Sequence, residues 1–309
     1  MDTFLTAFKI VLPLFLVIFS GAVFSRTKIY SGDWVGILNR YALYIGFPAL
    51  IIYSLMQLEL KGQSYTSLIL LNSGYIFVCL LLVFPISKIF RFSVQIKRSL
   101  FLILPFANVA YFGIPVLSNA FGTKVLPVAA IISAVYAFWL LTIAIILIEI
   151  YGEEKTNPKK LILNLSQNPL LLSVLIGLAI AFLKIDLPYF AEKTINIFAD
   201  SVTAVVLFSL GIFLGTHKIG ELKEWSQVLV YVFVTMLILP ALFLGIIHVF
   251  NIDTAYLKPS IIDAAMPLGL TPYALAIQYK IETTLVARVV VLGTALSIFI
   301  IPLWMVILG

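Results

Sequence analysis

Two stretches decide how this chain folds: LPFANVAYFGIPVLSNAFGTK, residues 104–124, and AMPLGLTPYALAIQYKIE, residues 265–282. Each is apolar enough to sit in a bilayer. Each also carries two prolines, Pro105 and Pro115 in the first, Pro267 and Pro272 in the second. Proline removes an amide donor and clashes with the preceding helical turn. Glycine, here Gly113 and Gly269, adds backbone freedom. A single proline in a membrane helix is read as a kink, a common occurrence. Matched pairs in two halves of a chain are read as two helices broken near mid-membrane, which requires their exposed backbone to face protein or a wet cavity. Setting Pro272 on Pro115 aligns the stretches at an offset of 157.

Working outward, the whole chain is apolar. Of 309 residues, 62% are hydrophobic and 11% charged, with a mean hydropathy of +1.13. Soluble domains run at about 45–50% apolar and about 25% charged. No soluble surface could be assembled from this composition. Disorder is excluded for the same reason. A disulfide scaffold is excluded because Cys79 is alone. The net charge of +6 is spread thinly, which argues against nucleic acid as a partner. An all-α, polytopic membrane protein remains, with the lipid bilayer as its surroundings.

Ten apolar segments are expected as membrane helices, at about 5–24, 34–57, 64–88, 98–119, 125–150, 166–184, 194–215, 226–250, 258–279 and 285–308. They are too long for barrel strands. The first could be taken for a signal peptide, but Asp2 opposes Lys9 in a weak n-region, and the segment is needed to complete a repeat. Counting Lys and Arg in alternate loops gives 14 on one side and 6 on the other. The richer side is expected in the cytoplasm, with both termini outside.

Five segments lie on each side of the polar stretch around Gly152–Lys160. An odd number per half forces the second half to run the opposite way through the bilayer, the arrangement of inverted-repeat transporters. The expected organisation is a first five-helix repeat at 1–150, a cytoplasmic connector at 151–165 and an inverted second repeat at 166–309, with helices four and nine broken and crossing.

Ionisable groups at membrane depth are costly and therefore candidates for function. Arg40, Glu149 and Arg288 are expected to snorkel to the interface. Asp200 and Asp263 lie inside their helices, where a structural hydrogen bond and a coupling role stand equally open. Asn108, beside the first break, reads either as a helix cap or as a ligand contact. Tyr111 and Tyr273 lie mid-segment, away from an interfacial belt. Gly211-Ile-Phe-Leu-Gly215 is a small-xxx-small pattern expected to seat a helix within one subunit. No HExxH, CxxC, GxSxG or P-loop is present. His217 and His248 are not read as ligands. No metal, cofactor or catalytic residue is expected. Broken helices offer free N-termini with a partial charge of roughly +0.5. These bind carboxylates without burying a full cation. The expected substrate is a small organic anion held by Asn108, Tyr111, Gly113, Pro115, Pro267, Gly269, Thr271 and Tyr273, with Asp263 or Asp200 as sites for a coupling H+ or Na+. An intramembrane enzyme would need paired acids or a metal set at one depth, and a receptor would need a soluble effector domain.

The run from Asn108 through Gly113-Ile114-Pro115 to Phe121-Gly122 resembles the auxin efflux carrier family of permeases. So do Ala265-Met266-Pro267, Tyr273-Ala274-Leu275-Ala276 and the second segment from Leu38-Asn39-Arg40 to Phe47-Pro48-Ala49-Leu50. The resemblance covers essentially the whole chain. It implies a scaffold from segments 1, 2, 6 and 7, a transport group from segments 3–5 and 8–10 moving as an elevator, and a homodimer. It implies carboxylate substrates: malate or malonate for bacterial members, auxin for plant ones. The wider superfamily includes sodium-coupled bile acid symporters, the alternative reading. Thr271 stands where the family often has Asn; a hydroxyl has one donor where an amide has two. The short central connector points to a bacterial inner-membrane member.

Overall fold

In a computed structural model the described residues are 2–56, 65–152, 159, 163, 166–216, 222–250 and 257–309. The helices in chain order are α1 (Asp2–Phe24), α2 (Trp34–Tyr41), α3 (Phe47–Met56), α4 (Thr66–Ile89), α5 (Val94–Ile103), α6 (Ile114–Phe121), α7 (Leu126–Trp139) and α8 (Ile145–Ile150). They continue with α9 (Pro169–Leu183), α10 (Tyr189–Thr216), α11 (Leu222–Phe233), α12 (Leu239–Val249), α13 (Leu257–Ala264), α14 (Leu270–Gln278) and α15 (Thr283–Leu308). Most of the expected connector 151–165, with Lys155 and Lys160, lies outside the described residues. So do Lys61, His217 and Lys218.

Among the described residues, seven helical stretches are long and apolar enough to cross a bilayer: Phe4–Phe24, Trp34–Met56, Thr66–Ile89, Thr123–Ile150, Tyr189–Thr216, Trp225–Val249 and Thr283–Leu308. They coincide with expected segments 1, 2, 3, 5, 7, 8 and 10. Segment 6 appears as the shorter α9, of 15 residues. Segments 4 and 9 are each two helices around a non-helical break. The outer faces are apolar: Phe19, Phe182 and Val249 are 66%, 64% and 76% exposed. A water-facing surface does not carry so many large apolar groups.

Four wide, π-helical turns interrupt the described helices, at Ala42–Gly46, Val109–Gly113, Leu140–Ala144 and Val234–Ile238. Three end two residues before a proline: Pro48, Pro115 and Pro240. The physical reason is local. Proline cannot donate to the carbonyl four residues back and pushes it aside, and a wider turn makes room without ending the helix. The carbonyl Pro240 leaves unserved is that of Met236, and Trp304 Nε1 on α15 donates to it at 2.8 Å. Trp304→Phe should therefore cost about 1–3 kcal/mol, the penalty of a buried orphaned carbonyl. It would be read as a lower melting temperature in detergent, and an unchanged melt would refute the assignment.

Packing divides the helices. α1, α2–α3, α9 and α10 lie against one another, the α1–α10 contact being the most extensive. α4, α5, α7, α8 and α11–α15 form a second group, touching the first chiefly through α1–α15, α3–α7 and α9–α7. At the α1–α10 contact a Cβ on Gly21 would overlap the Phe208 carbonyl oxygen, and one on Gly211 the Ile18 carbonyl oxygen. A Cβ on Gly215 would come within 2.8 Å of the Ala22 carbonyl oxygen. The small residues expected to seat a helix thus do so within one chain. α1, so packed, is an integral part of the fold.

Candidate functional site

The two breaks meet. Ala107 and Leu268 form an isolated antiparallel bridge. Asn108 donates its backbone N–H to the Pro267 carbonyl at 2.8 Å. The Asn108 carbonyl accepts from Phe112 N at 3.1 Å and Gly113 N at 2.8 Å, which opens the wide turn after the break. Backbone freed by Pro105 and Pro267 thus finds partners in the other segment, as a low-dielectric interior demands.

The breaks fall elsewhere than the proline alignment places them. α5 ends at Ile103 and α13 at Ala264; helical structure resumes at Val109 and at Leu270. Both pairs are 161 residues apart, not 157. Pro115 and Pro272 do not break anything. Pro272 lies in the first turn of its helix, where the missing N–H has no helical partner to lose, and Pro115 lies within Val109–Phe121, where the wide turn before it makes room. The register of 161 sets Asn108 opposite Gly269 in sequence, and the two touch: a Cβ on Gly269 would lie 3.1 Å from Asn108 Cγ. Gly113, expected at the centre of a break, lies instead in the wide turn.

Asn108 is 4% exposed, and its side chain caps no helix; its Nδ2 has no hydrogen-bond partner among the described residues. The cap reading therefore falls away. Tyr111 is buried edge-on to Phe47, ring centres 4.8 Å apart. Tyr273 meets Phe213 in the same manner at 5.2 Å. Pro115 is buried, and Pro267 packs against α15 at Gly293, where a Cβ would lie 3.3 Å from Pro267 Cβ.

A cavity of about 220 Å³ opens beside the breaks. It is lined by Phe106–Tyr111, Gly269, Thr271 and Pro272, of which Asn108, Tyr111, Gly269 and Thr271 were expected. Three wide turns border it, through Leu43, Val109–Tyr111 and Leu140. One wall was not foreseen: Ser133, Tyr136 and Ala137 on α7 and Leu140 at the start of the wide turn after it share a face, at spacings of three, four and seven. That pattern of two hydroxyls on one face of an apolar run was available in the sequence. Asn168 is the other addition, its Oδ1 accepting from Leu170 N and Leu171 N at the start of α9. Two larger hollows, about 570 and 580 Å³, lie between α4 and α12 and between α4, α7 and α9. Their walls are almost entirely apolar, so they offer a ligand no orienting group.

Behind the cavity lies a sealed polar group. Asp263 on α13 is fully buried, and neither carboxyl oxygen has a partner among the described residues. It is pressed against Gly113, whose Cβ would overlap Oδ1. Ser260, one turn earlier, accepts from Asn72 Nδ2 at 3.0 Å, and Asn72 Oδ1 has no partner among the described residues. Asp200 differs: it is exposed on α10 with Asn196 Nδ2 at 3.4 Å and does not line the cavity. Arg40 is exposed; Glu149 and Arg288 are half-buried. At the far end of the second group, buried Arg98 donates Nε to the Ile148 carbonyl at 3.0 Å and Nη2 to the Tyr279 carbonyl at 3.2 Å.

Apolar helices, two breaks braced on each other and a polar-tipped cavity define a membrane transport protein. The chain belongs to the membrane transport protein family, which it matches over residues 6–305, and with it to the auxin efflux carriers. It is an integral, multi-pass membrane protein and not an enzyme. It is 24% identical over 297 residues to a putative malonate transporter of Rhizobium meliloti, covering 94% of this chain and 92% of the relative. A transporter of Methanocaldococcus jannaschii, described as uncharacterized, is 24% identical over 96% of both chains. A probable auxin efflux carrier component 3b of Oryza sativa is 29% identical over 149 residues, 47% of this chain and 25% of that one.

Proposed function

We propose that this chain is a secondary transporter of a small organic anion, a carboxylate of the size of malonate, malate or an auxin-like acid, bound where the two breaks meet. Its ten helices form two inverted repeats, 1–150 and 166–309, joined by a cytoplasmic connector at 151–165. The broken helices cross, and the group built on α4–α8 and α11–α15 moves as an elevator against the scaffold of α1–α3, α9 and α10. The chain works in a bacterial inner membrane as a homodimer, with Asp263 as the coupling group.

The observation that carries this reading is the buried, uncommitted Asn108 amide at the seam of the two breaks, beside the N-terminus of α14. An amide N–H and a helix N-terminus together stabilise a carboxylate without a full positive charge. The names of the relatives, malonate transporter and auxin efflux carrier, favour the same class.

The test is uptake into proteoliposomes from a panel of malonate, malate and indole-3-acetate. At least one should accumulate, and Asn108→Ala should lower its uptake by about tenfold or more, the value of a hydrogen bond to a charged group. Uptake unaltered in the variant would remove Asn108 from the site. A wild-type protein that moves none of the three would overturn the carboxylate reading.

A further inference from the structure

Resting on that reading, we infer that Asn168 is a second substrate contact, contributed by the scaffold and engaged only while the site faces the cytoplasm. The cavity is walled by both groups of helices. Leu43, Asn168 and Leu170 come from the scaffold side, whereas Asn108, Gly269 and Thr271 come from the group proposed to move. A solute held there lies on the border between them. Sliding one group past the other must then replace the scaffold side of its surroundings.

Of the three scaffold residues only Asn168 is polar, and it is half-buried. Its carbonyl accepts from Leu172 N at 3.0 Å, and its Oδ1 accepts from Leu170 N at 3.0 Å and Leu171 N at 3.1 Å. Pro169 carries no N–H. The first-turn amides of α9 are thus all committed. The donor left at this helix end is Asn168 Nδ2, which meets no acceptor among the described residues. The partial positive charge of the helix end adds to it. α14 is the opposite case. No side chain caps it, and the buried Asn108 amide lies against its N-cap, Gly269, with Nδ2 unpartnered among the described residues.

Different neighbours hold the two helix ends. α9 packs on α3, α7 and the wide turn 42–46, and α14 packs on α5 and α15. Both ends line one cavity of about 220 Å³, smaller than the roughly 300–1,000 Å³ of sites for drug-sized ligands. A small acid in it meets donors from both sides: Asn108 and α14 on the travelling side, Asn168 Nδ2 on the stationary one. With 15 residues α9 is about 22 Å long, against a hydrocarbon layer of about 30 Å. Its capped end can therefore stand below the membrane surface, beside the breaks. That end follows the connector, which the proposed topology places in the cytoplasm. The arrangement is then the inward-facing one. On the outward stroke Asn108 and α14 travel with the solute, and Asn168 stays behind.

Capping alone would account for an asparagine here, and the two roles separate under substitution. Aspartate and serine cap about as well as asparagine, and aspartate suits the positive end of a helix. Neither supplies the amide N–H, and aspartate puts a negative charge in its place. The experiment measures uptake of the radiolabelled acid that the panel identifies into right-side-out and inverted membrane vesicles, from a host with no uptake of that acid of its own. These load the outer and the cytoplasmic face respectively. The quotient of half-saturation concentrations, cytoplasmic over outer, should rise about tenfold or more in Asn168→Asp, the value of a hydrogen bond to a charged group. It should rise in the same direction in Asn168→Ser. A residue that only caps α9 leaves the quotient unchanged in both variants. An unchanged quotient, equal weakening at the two faces, or weakening confined to the outer face would each overturn the inference. If Asn168→Asp moves no acid, Asn168→Ser decides by the same quotient, and an inactive serine variant also overturns it. All of these results leave the carboxylate reading standing, which fails only if the wild type moves no acid in the panel.

Discussion

Gly211→Val should leave little folded protein. The atom in the way is backbone: the Ile18 carbonyl on α1 already occupies the place of any side chain at 211. Backbone in a packed helix cannot rotate aside as a side-chain tip does. α1 and α10 would have to separate along their most extensive contact. Helices in lipid associate through close van der Waals fit, not through expulsion of water, so a lost fit has no compensation. Overpacking usually costs about 1–3 kcal/mol; here the upper end or beyond is expected. The measurable result is a melting temperature in detergent lower by on the order of 10 °C, or no monodisperse protein. Gly245→Ala supplies the control, since nothing lies within 4 Å of its would-be Cβ, and it should melt as the wild type does. Equal melts for the two variants would refute the contact.

Gly113→Ala should cut transport at least tenfold. The added methyl would fall on the Asp263 carboxyl, which is fully buried and has little freedom to turn. Either the carboxyl rotates away from Gly113, or α13 moves from the wide turn. The strain of an added methyl is about 1–3 kcal/mol. Asp263→Ala removes the obstructing atoms, so the pair should be strongly non-additive. The double variant Gly113→Ala/Asp263→Ala should melt higher than additivity of the two single variants predicts, by about 1 kcal/mol or more, while staying uncoupled. Additive melts would show that the methyl and the carboxyl do not compete for the same space.

Much of this architecture is legible in the sequence because prolines in an apolar run have few explanations. Pro105 and Pro267 announced two breaks, and both are there. Their register was not legible, because Pro115 and Pro272 look like breakers, yet one is accommodated by the wide turn before it and the other lies in a first turn, where proline is tolerated. The residues that meet at the seam are Asn108 and Gly269, and composition says nothing of that pairing. The two aspartates were indistinguishable on paper, each a lone acid in an apolar helix. Only packing separates them, one sealed behind the cavity and the other on an outer face. Ser133 escaped notice because a serine hydroxyl in a membrane helix commonly bonds its own backbone, which it does not do among the described residues, and Tyr136 because a lone tyrosine in an apolar run reads as core.

Arg98 ties together parts of the chain that its sequence position does not suggest. One flat guanidinium on α5 bonds carbonyls at the trailing ends of α8 and α14. Each such bond to a charged group is worth about 1.5–3 kcal/mol. Pulling one of these helices away from the others means breaking that knot inside a medium with no water to replace it. The three helices are therefore held as one solid piece, and under the proposed elevator motion the stroke would have to be taken up at the borders of the group, not within it.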